Sequence, residues 1–222
     1  MKSASQSFIF LFIASIITFS CAPHAKKELS PAQAWAIDVA RATRATSILV
    51  AEFVARELSL NAKQTEKFVR DYLAERAAEA RKAGDRQDLR SEMRMNTEGF
   101  LRVMNDNLNR DQVKIATKIL RPDGVLGGSL TGSLDGSVNR LVRGKVAKNK
   151  IEKAMPILVK YHQQFAALNA KVLSKGISRE GRMDNVIELR VATAKELASI
   201  IGVEAADFWL DLQRRKGISI KK

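Results

Sequence analysis

The chain is poor in the residues on which most chemistry depends. It holds one cysteine, two histidines, two tyrosines and two tryptophans among 222 residues. A single cysteine cannot close an internal disulfide, so the fold must be held by packing. The histidines, His24 and His162, offer little from which to build a metal centre or a general base. His162 stands beside Tyr161 with no acidic residue three or four positions further on. Met93 and Met95 point to different helix faces, so Met93 and Met104 read as core residues and not as ligands. The patterns G-x-S-x-G and H-E-x-x-H do not occur, and no Cys–His pair stands in a convincing context. Arg143-Gly144-Lys145-Val146 lacks the upstream glycine and the following Ser or Thr of a phosphate loop. No segment alternates apolar and polar residues over a useful length, which argues against strands. The sequence therefore predicts no enzyme, no cofactor and no metal.

What is present favours helices. The apolar fraction is 45% and the aromatic fraction 6%, with Ala, Leu, Lys, Arg and Glu abundant. The formal charge is +14, more than half of it in residues 123–222. Its tightest cluster is Arg140, Arg143, Lys145, Lys148, Lys150 and Lys153, opposed locally only by Glu152. Such a field attracts anionic surfaces or acidic polypeptides and speeds encounter, although a solvated face is the plainer reading.

The first 20 residues read as a secretion signal. Lys2 supplies the positive start, and Phe8 to Phe19 form an apolar stretch interrupted only by Ser15 and Thr18. That stretch is short for a membrane span, which needs about 20 apolar residues. Cys21 follows Ser20 directly and resembles the cleavage site of a bacterial lipoprotein, in which that cysteine is acylated. Thr18 and Phe19 depart from the usual pattern there. Export to the periplasm with membrane anchoring through Cys21 is the expectation. An exported chain is not expected to meet nucleic acid, whatever its charge.

Residues 21–29 read as a polar tether. Ser30-Pro31-Ala32-Gln33 is a helix start, with a Ser cap, Pro at the first helical position and Gln at the third. Trp35, Val39, Ala42, Thr46, Leu49 and Phe53 give one apolar face up to Leu58. A second helix from Asn61 carries Phe68, Tyr72 and Leu73 and fades near Gly84. A third, about 86–107, aligns Leu89, Met93, Thr97, Phe100, Leu101, Met104 and Leu108. A short fourth follows Asn109 and ends before Pro122. In 123–137, Gly124, Gly128, Gly132 and Gly136 recur every four residues beside repeating Ser and Leu. A connector and a close-packed glycine-groove helix both fit that repeat. A long helical pattern covers 139–174, with Pro156 as a kink or a new start and Gly176 as its stop. A further helix covers 182–201 and is closed by Gly202. A last one, from about 204, buries Phe208, Trp209 and Leu212.

Two pentapeptides share one pattern, Leu60-Asn61-Ala62-Lys63-Gln64 and Leu108-Asn109-Arg110-Asp111-Gln112. In each, Asn is a preferred N-cap, and Gln three residues on can reach back to the cap amide. The leading Leu is placed for a hydrophobic staple, with Val113 as its partner in the second copy. This pair of L-N-x-x-Q starts resembles the LTxxQ-motif family of Spy- and CpxP-type periplasmic proteins over about residues 45–121, with Asn for Thr in both copies. The resemblance implies antiparallel helical hairpins, often dimerised into a curved cradle. It also implies ATP-independent protection of unfolded envelope proteins or restraint of a stress-sensing kinase. On that reading Arg70, Arg76, Arg81, Arg86, Arg90, Arg94 and Arg102 would line a basic concave surface, unless they form helix-surface pairs.

The resulting expectation is an all-α chain of antiparallel hairpins or a bundle, with a helical domain over 30–122, a Gly/Ser/Leu connector over 123–137 and a second helical domain over 138–222. Its partners would be unfolded or acidic envelope polypeptides. The rival expectation is a tethered interaction lipoprotein whose basic second half docks on anionic lipid, wall polymer or a protein.

Overall fold

The computed structural model describes residues 31–83, 95–124, 133–174 and 176–210. The signal segment, the tether, Cys21, Leu89, Met93, Leu212 and most of the Gly/Ser/Leu repeat lie outside the described residues. Among the described residues all regular structure is helical, in the order α1 (Pro31–Glu57), α2 (Ala62–Ala83), α3 (Thr97–Asn107), α4 (Arg110–Leu120), α5 (Leu134–Arg143), α6 (Lys148–Leu173), α7 (Arg179–Ile201) and α8 (Val203–Leu210). The all-α expectation holds.

Helix α1 begins at Pro31, a residue whose fixed φ suits the first turn. Its face Ala42, Thr46, Leu49, Phe53 and Leu58 is buried as the three-and-four spacing requires. It ends in a Schellman turn. Leu60 donates its amide to Ala55 O at 3.0 Å, Ser59 to Arg56 O at 2.9 Å, and Ser59 takes φ 53. The turn folds α2 back along α1, and α3 then lies along α2, with Arg102 on Glu75 and Asp106 and Asn107 on Lys67.

Three expected boundaries shift. Asn96 has extended dihedrals and caps α3 by accepting from Gly99 N, so no continuous helix runs from 86 to 107. The second helical segment starts at 134, not 138: Ser133 caps α5, and Leu134, Ser137 and Val138 are buried. The pattern over 139–174 is two helices, because residues 144–147 turn between α5 and α6. Pro156 marks neither of their ends and lies exposed inside α6. Its missing N–H and its ring face solvent, where the lost bond is most easily tolerated. Gly202 closes α7 as expected, at φ 92, and Gly176 donates to Lys171 O at 2.8 Å beyond the end of α6.

The expected division into two helical domains is not visible in the packing. Val50, Phe53 and Met104 from the first half and Leu141, Met155, Leu158, Leu197 and Leu210 from the second belong to one continuous apolar core. Helix α5 packs on α1, α6 packs on α1, α4 and α5, and α7 and α8 complete the layer behind α6. Each fully buried Leu or Met in it contributes roughly 1.5–3 kcal/mol of transfer free energy.

Candidate functional site

Both L-N-x-x-Q copies form the capping boxes their residues call for. Asn61 Oδ1 accepts from Gln64 N at 3.0 Å, and Gln64 Oε1 accepts from Asn61 N at 3.1 Å. Asn109 Oδ1 accepts from Gln112 N at 2.9 Å and from Asp111 N at 3.1 Å, while Gln112 Oε1 accepts from Asn109 N at 3.0 Å. Leu108 is buried, and Leu60 and Val113 pack against the core. Lys67, one turn beyond Gln64, donates to Asp106 O at 2.9 Å and Asn107 Oδ1 at 2.8 Å. The two helix starts therefore sit close together at one end of the bundle. Asp71 pairs with Lys67 there; burial opposes its ionisation, but hydrogen bonds from Lys67 and Asn107 hold its carboxyl below the ordinary value.

The arginines assigned to a basic concave surface do not make one among the described residues. Arg70 pairs with Asp71, Arg102 with Glu75 and Glu98, and Arg76 is buried. Arg86, Arg90 and Arg94 lie outside the described residues, as does the Arg81 side chain.

The second-half cluster is different. Arg140 and Arg143 end α5, Lys145 is in the turn, and Lys148, Lys150 and Lys153 occupy the first two turns of α6; all six are exposed. Lys148 Nζ bridges Glu52 at 2.9 Å and Glu152 at 3.7 Å, which links this corner to α1 through an exposed pair and raises the Lys148 pKa, mainly through the hydrogen bond to Glu52. Arg140 donates to Trp209 O at 3.1 Å. Arg143, Lys145, Lys150 and Lys153 form no ion pair among the described residues.

The corner is built against local stability. Ala147, the residue before α6, makes no side-chain cap, and the first turn of α6 has no acid. Lysines at a helix N-terminus oppose the macrodipole. Lys145 holds φ 57, a left-handed conformation that favours glycine. Phe208, expected to be buried with Trp209, is 44% exposed. Helix α8 is short and turns only one side to the core, which takes Trp209 and Leu210.

Sequence reasoning missed two buried polar groupings. In the first, the Tyr72 hydroxyl donates to both Asp135 oxygens at 3.1 and 3.2 Å, joining α2 to α5. Glu75, Arg76, Glu79 and Arg121 surround the same junction. Arg121 lies 4.2 Å from the Phe100 ring centroid and donates to Asn96 O at 3.0 Å and to Met95 O. Burial pushes the Asp135 carboxyl up, although the Arg76 and Arg121 charges and the Tyr72 bond work against that. Burial first, and Asp135 second, push the Tyr72 hydroxyl well up. In the second grouping, Ser137 Oγ meets His162 Nε2 at 2.9 Å, 25 residues apart in sequence. Both side chains are buried between α5 and α6, so the pair joins two helices with no open approach for a substrate. Neither grouping has a signal in periodicity, because each joins residues distant along the chain.

Among the described residues no cluster of three or more His, Cys, Asp or Glu could hold a metal ion, and no helix is long and apolar enough to cross a membrane. In comparisons with family models, curated proteins and solved structures, nothing matches this chain.

Proposed function

We propose that the chain is an exported, non-enzymatic helical binding protein of the cell envelope, tethered through an acylated Cys21, whose basic second half docks on an anionic surface. One observation carries this reading. Of the arginines expected to line a first-half cradle, the three whose side chains are described, Arg70, Arg76 and Arg102, are paired or buried, whereas Arg143, Lys145, Lys150 and Lys153 project from one short stretch of α5, turn and α6 without ion pairs among the described residues. Exposed, unpaired charge of one sign gives long-range attraction and fast encounter, and it falls with ionic strength over a screening length of about 8–10 Å. Bringing the soluble mature chain to anionic vesicles, wall polymer and polyglutamate tests it. Salt-sensitive binding to at least one supports the reading, and no binding to any of them at low salt ends it.

A second reading, an LTxxQ-type holder of unfolded or stress-related polypeptides acting as a homodimer in the family's manner, draws on the twin capping boxes joined through Lys67. It has less support because the apolar faces of α1 and α4 are packed against α5 and α6 and do not form an open cradle. Suppression of a denatured client's aggregation at equimolar ratio, with no vesicle binding, would favour it.

A further inference from the structure

Two residue choices at the α5–α6 turn are the reverse of what the backbone asks for. The turn is a Schellman motif: Val146 donates its amide to Leu141 O at 3.0 Å and Lys145 to Val142 O at 3.0 Å. The position that wants glycine is the left-handed one, and Lys145 occupies it. The glycine stands one residue earlier, at Gly144, where φ is −72 and any residue would serve. Space explains the misplaced glycine. A Cβ on Gly144 would come within 3.2 Å of both Phe208 Cδ1 and Arg140 O. Its absence lets the Phe208 ring lie on the turn between Arg143 and Lys145. Phe208 nevertheless leaves 44% of its surface in solvent. Backbone strain at Lys145 and a half-exposed aromatic at Gly144 thus meet at the turn that links the two runs of cations, and strain of this kind concentrates at functional positions.

We propose that this corner is a bilayer-docking site, in which Phe208 seats at the headgroup level while Arg143, Lys145, Lys150 and Lys153 hold anionic lipid headgroups around it. The proposal rests on the docking reading above and narrows its partner to one surface. Charge alone would suit any polyanion. The half-exposed ring selects among them, since an aromatic gains from a lipid interface and gains little from a soluble, hydrated polyanion. The acids nearby weaken the field without reversing it: Glu52 and Glu152 share Lys148, and Glu204 and Asp207 lie on α8 with Phe208, against five further cations at Arg140, Arg143, Lys145, Lys150 and Lys153.

The test uses the mature chain with Cys21→Ser, so that no acyl group contributes. Its probes are vesicles of equal parts phosphatidylglycerol and phosphatidylcholine, vesicles of phosphatidylcholine alone, and soluble polyglutamate. The parent chain should bind the anionic vesicles in preference to both other probes. Phe208→Ser should weaken that binding about tenfold. Lys145→Gly should weaken it about fivefold, the loss of one surface charge, while raising the melting temperature. Ser59→Gly, which relieves the same strain at the α1–α2 turn, should raise the melting temperature and leave vesicle binding alone. Should Phe208→Ser melt early, Phe208→Trp takes its place, and quenching by bromolipid beyond that of Trp35 and Trp209 in the parent supports the seat. Phe208→Ser binding within about twofold of the parent at an unchanged melting temperature overturns the proposal. So does a Phe208→Trp quenched no more than the parent, or polyglutamate binding as tight as vesicle binding. A parent that binds none of the probes defeats the docking reading itself, which is a different result.

Discussion

Replacing Asn61 and Asn109 together with Ala should lower stability by about 2 kcal/mol, within a range of roughly 1–4. Each asparagine accepts from the amide of the Gln three residues on, at 3.0 Å in the first box and 2.9 Å in the second, and each receives that Gln side chain on its own amide. The asparagines are exposed, so water replaces part of what is lost, and the sum belongs below the upper limit. For a chain of this size that corresponds to a fall in Tm of about 4–8 °C. Urea titration of the two single variants and the double gives the free energies. Lys67 ties the two helix starts together, so a double loss that departs from the sum of the singles would show coupling between them. Asn→Gly at both sites should lose only a few tenths of a kcal/mol each, because glycine tolerates the cap conformation. Hydrogen exchange supplies an independent reading: the Gln64 and Gln112 amides should lose protection in the double Ala variant before any amide of α7 does. An unchanged midpoint with unchanged exchange at those two amides would refute the capping argument.

The remaining expectations concern packing, strain and charge. Gly99→Ala should destabilise by about 1–3 kcal/mol, because the new Cβ would fall 2.8 Å from Cγ and Cδ of Glu75, which Arg102 holds in place; urea midpoints would show it. Ser59→Gly should stabilise by about 0.5–1 kcal/mol in the same titration by relieving φ 53. Asp135 and Glu79 both have carboxyls pushed up by burial, so each binds its proton more tightly folded than unfolded. Their contribution to stability therefore falls as pH rises from the unfolded value near 4 through the higher folded value. Urea midpoints between pH 4 and 7 should show Asp135→Asn flattening that fall, and a parallel profile in the variant would count against it.

The elements most legible in the sequence were those whose signals are local. Asn61 and Asn109 announce helix starts because a cap, its reciprocal Gln and the following apolar face all lie within one turn. Gly202 and Pro31 are punctuation of the same short range. The misplaced boundaries arose where a local signal was weak or read across. Asn96 gives no visible break in the sequence because Leu89, Met93, Thr97 and Phe100 stay in helical phase through it. The turn at 144–147 carries no local signal because Lys145, and not glycine, holds the left-handed position, and Ala147 makes no cap. The cationic corner was visible as a cluster because its six members fall within 14 consecutive residues, but its aromatic partner Phe208 arrives from a helix about sixty residues later.

The buried polar pairs show why two halves that read as separate domains share one core. Tyr72 and Asp135 lie 63 positions apart, and Asn139 reaches Thr46 across 93. Each is a polar side chain within an otherwise apolar face, and on its own each would look like a weak point of an amphipathic helix. A buried hydroxyl or carboxylate without a partner costs about 1–3 kcal/mol or more, so these groups tolerate only the arrangement in which α5 lies against α1 and α2. Apolar contacts between the same helices would permit sliding by a residue or a turn. The hydrogen-bonded pairs do not, and because α5 carries Arg140 and Arg143, the same registration places the start of the cationic corner relative to α1, with the exposed Lys148–Glu52 pair as a further link. The polar core residues thus set the geometry that the corner presents, and nothing in helical periodicity could have disclosed that link.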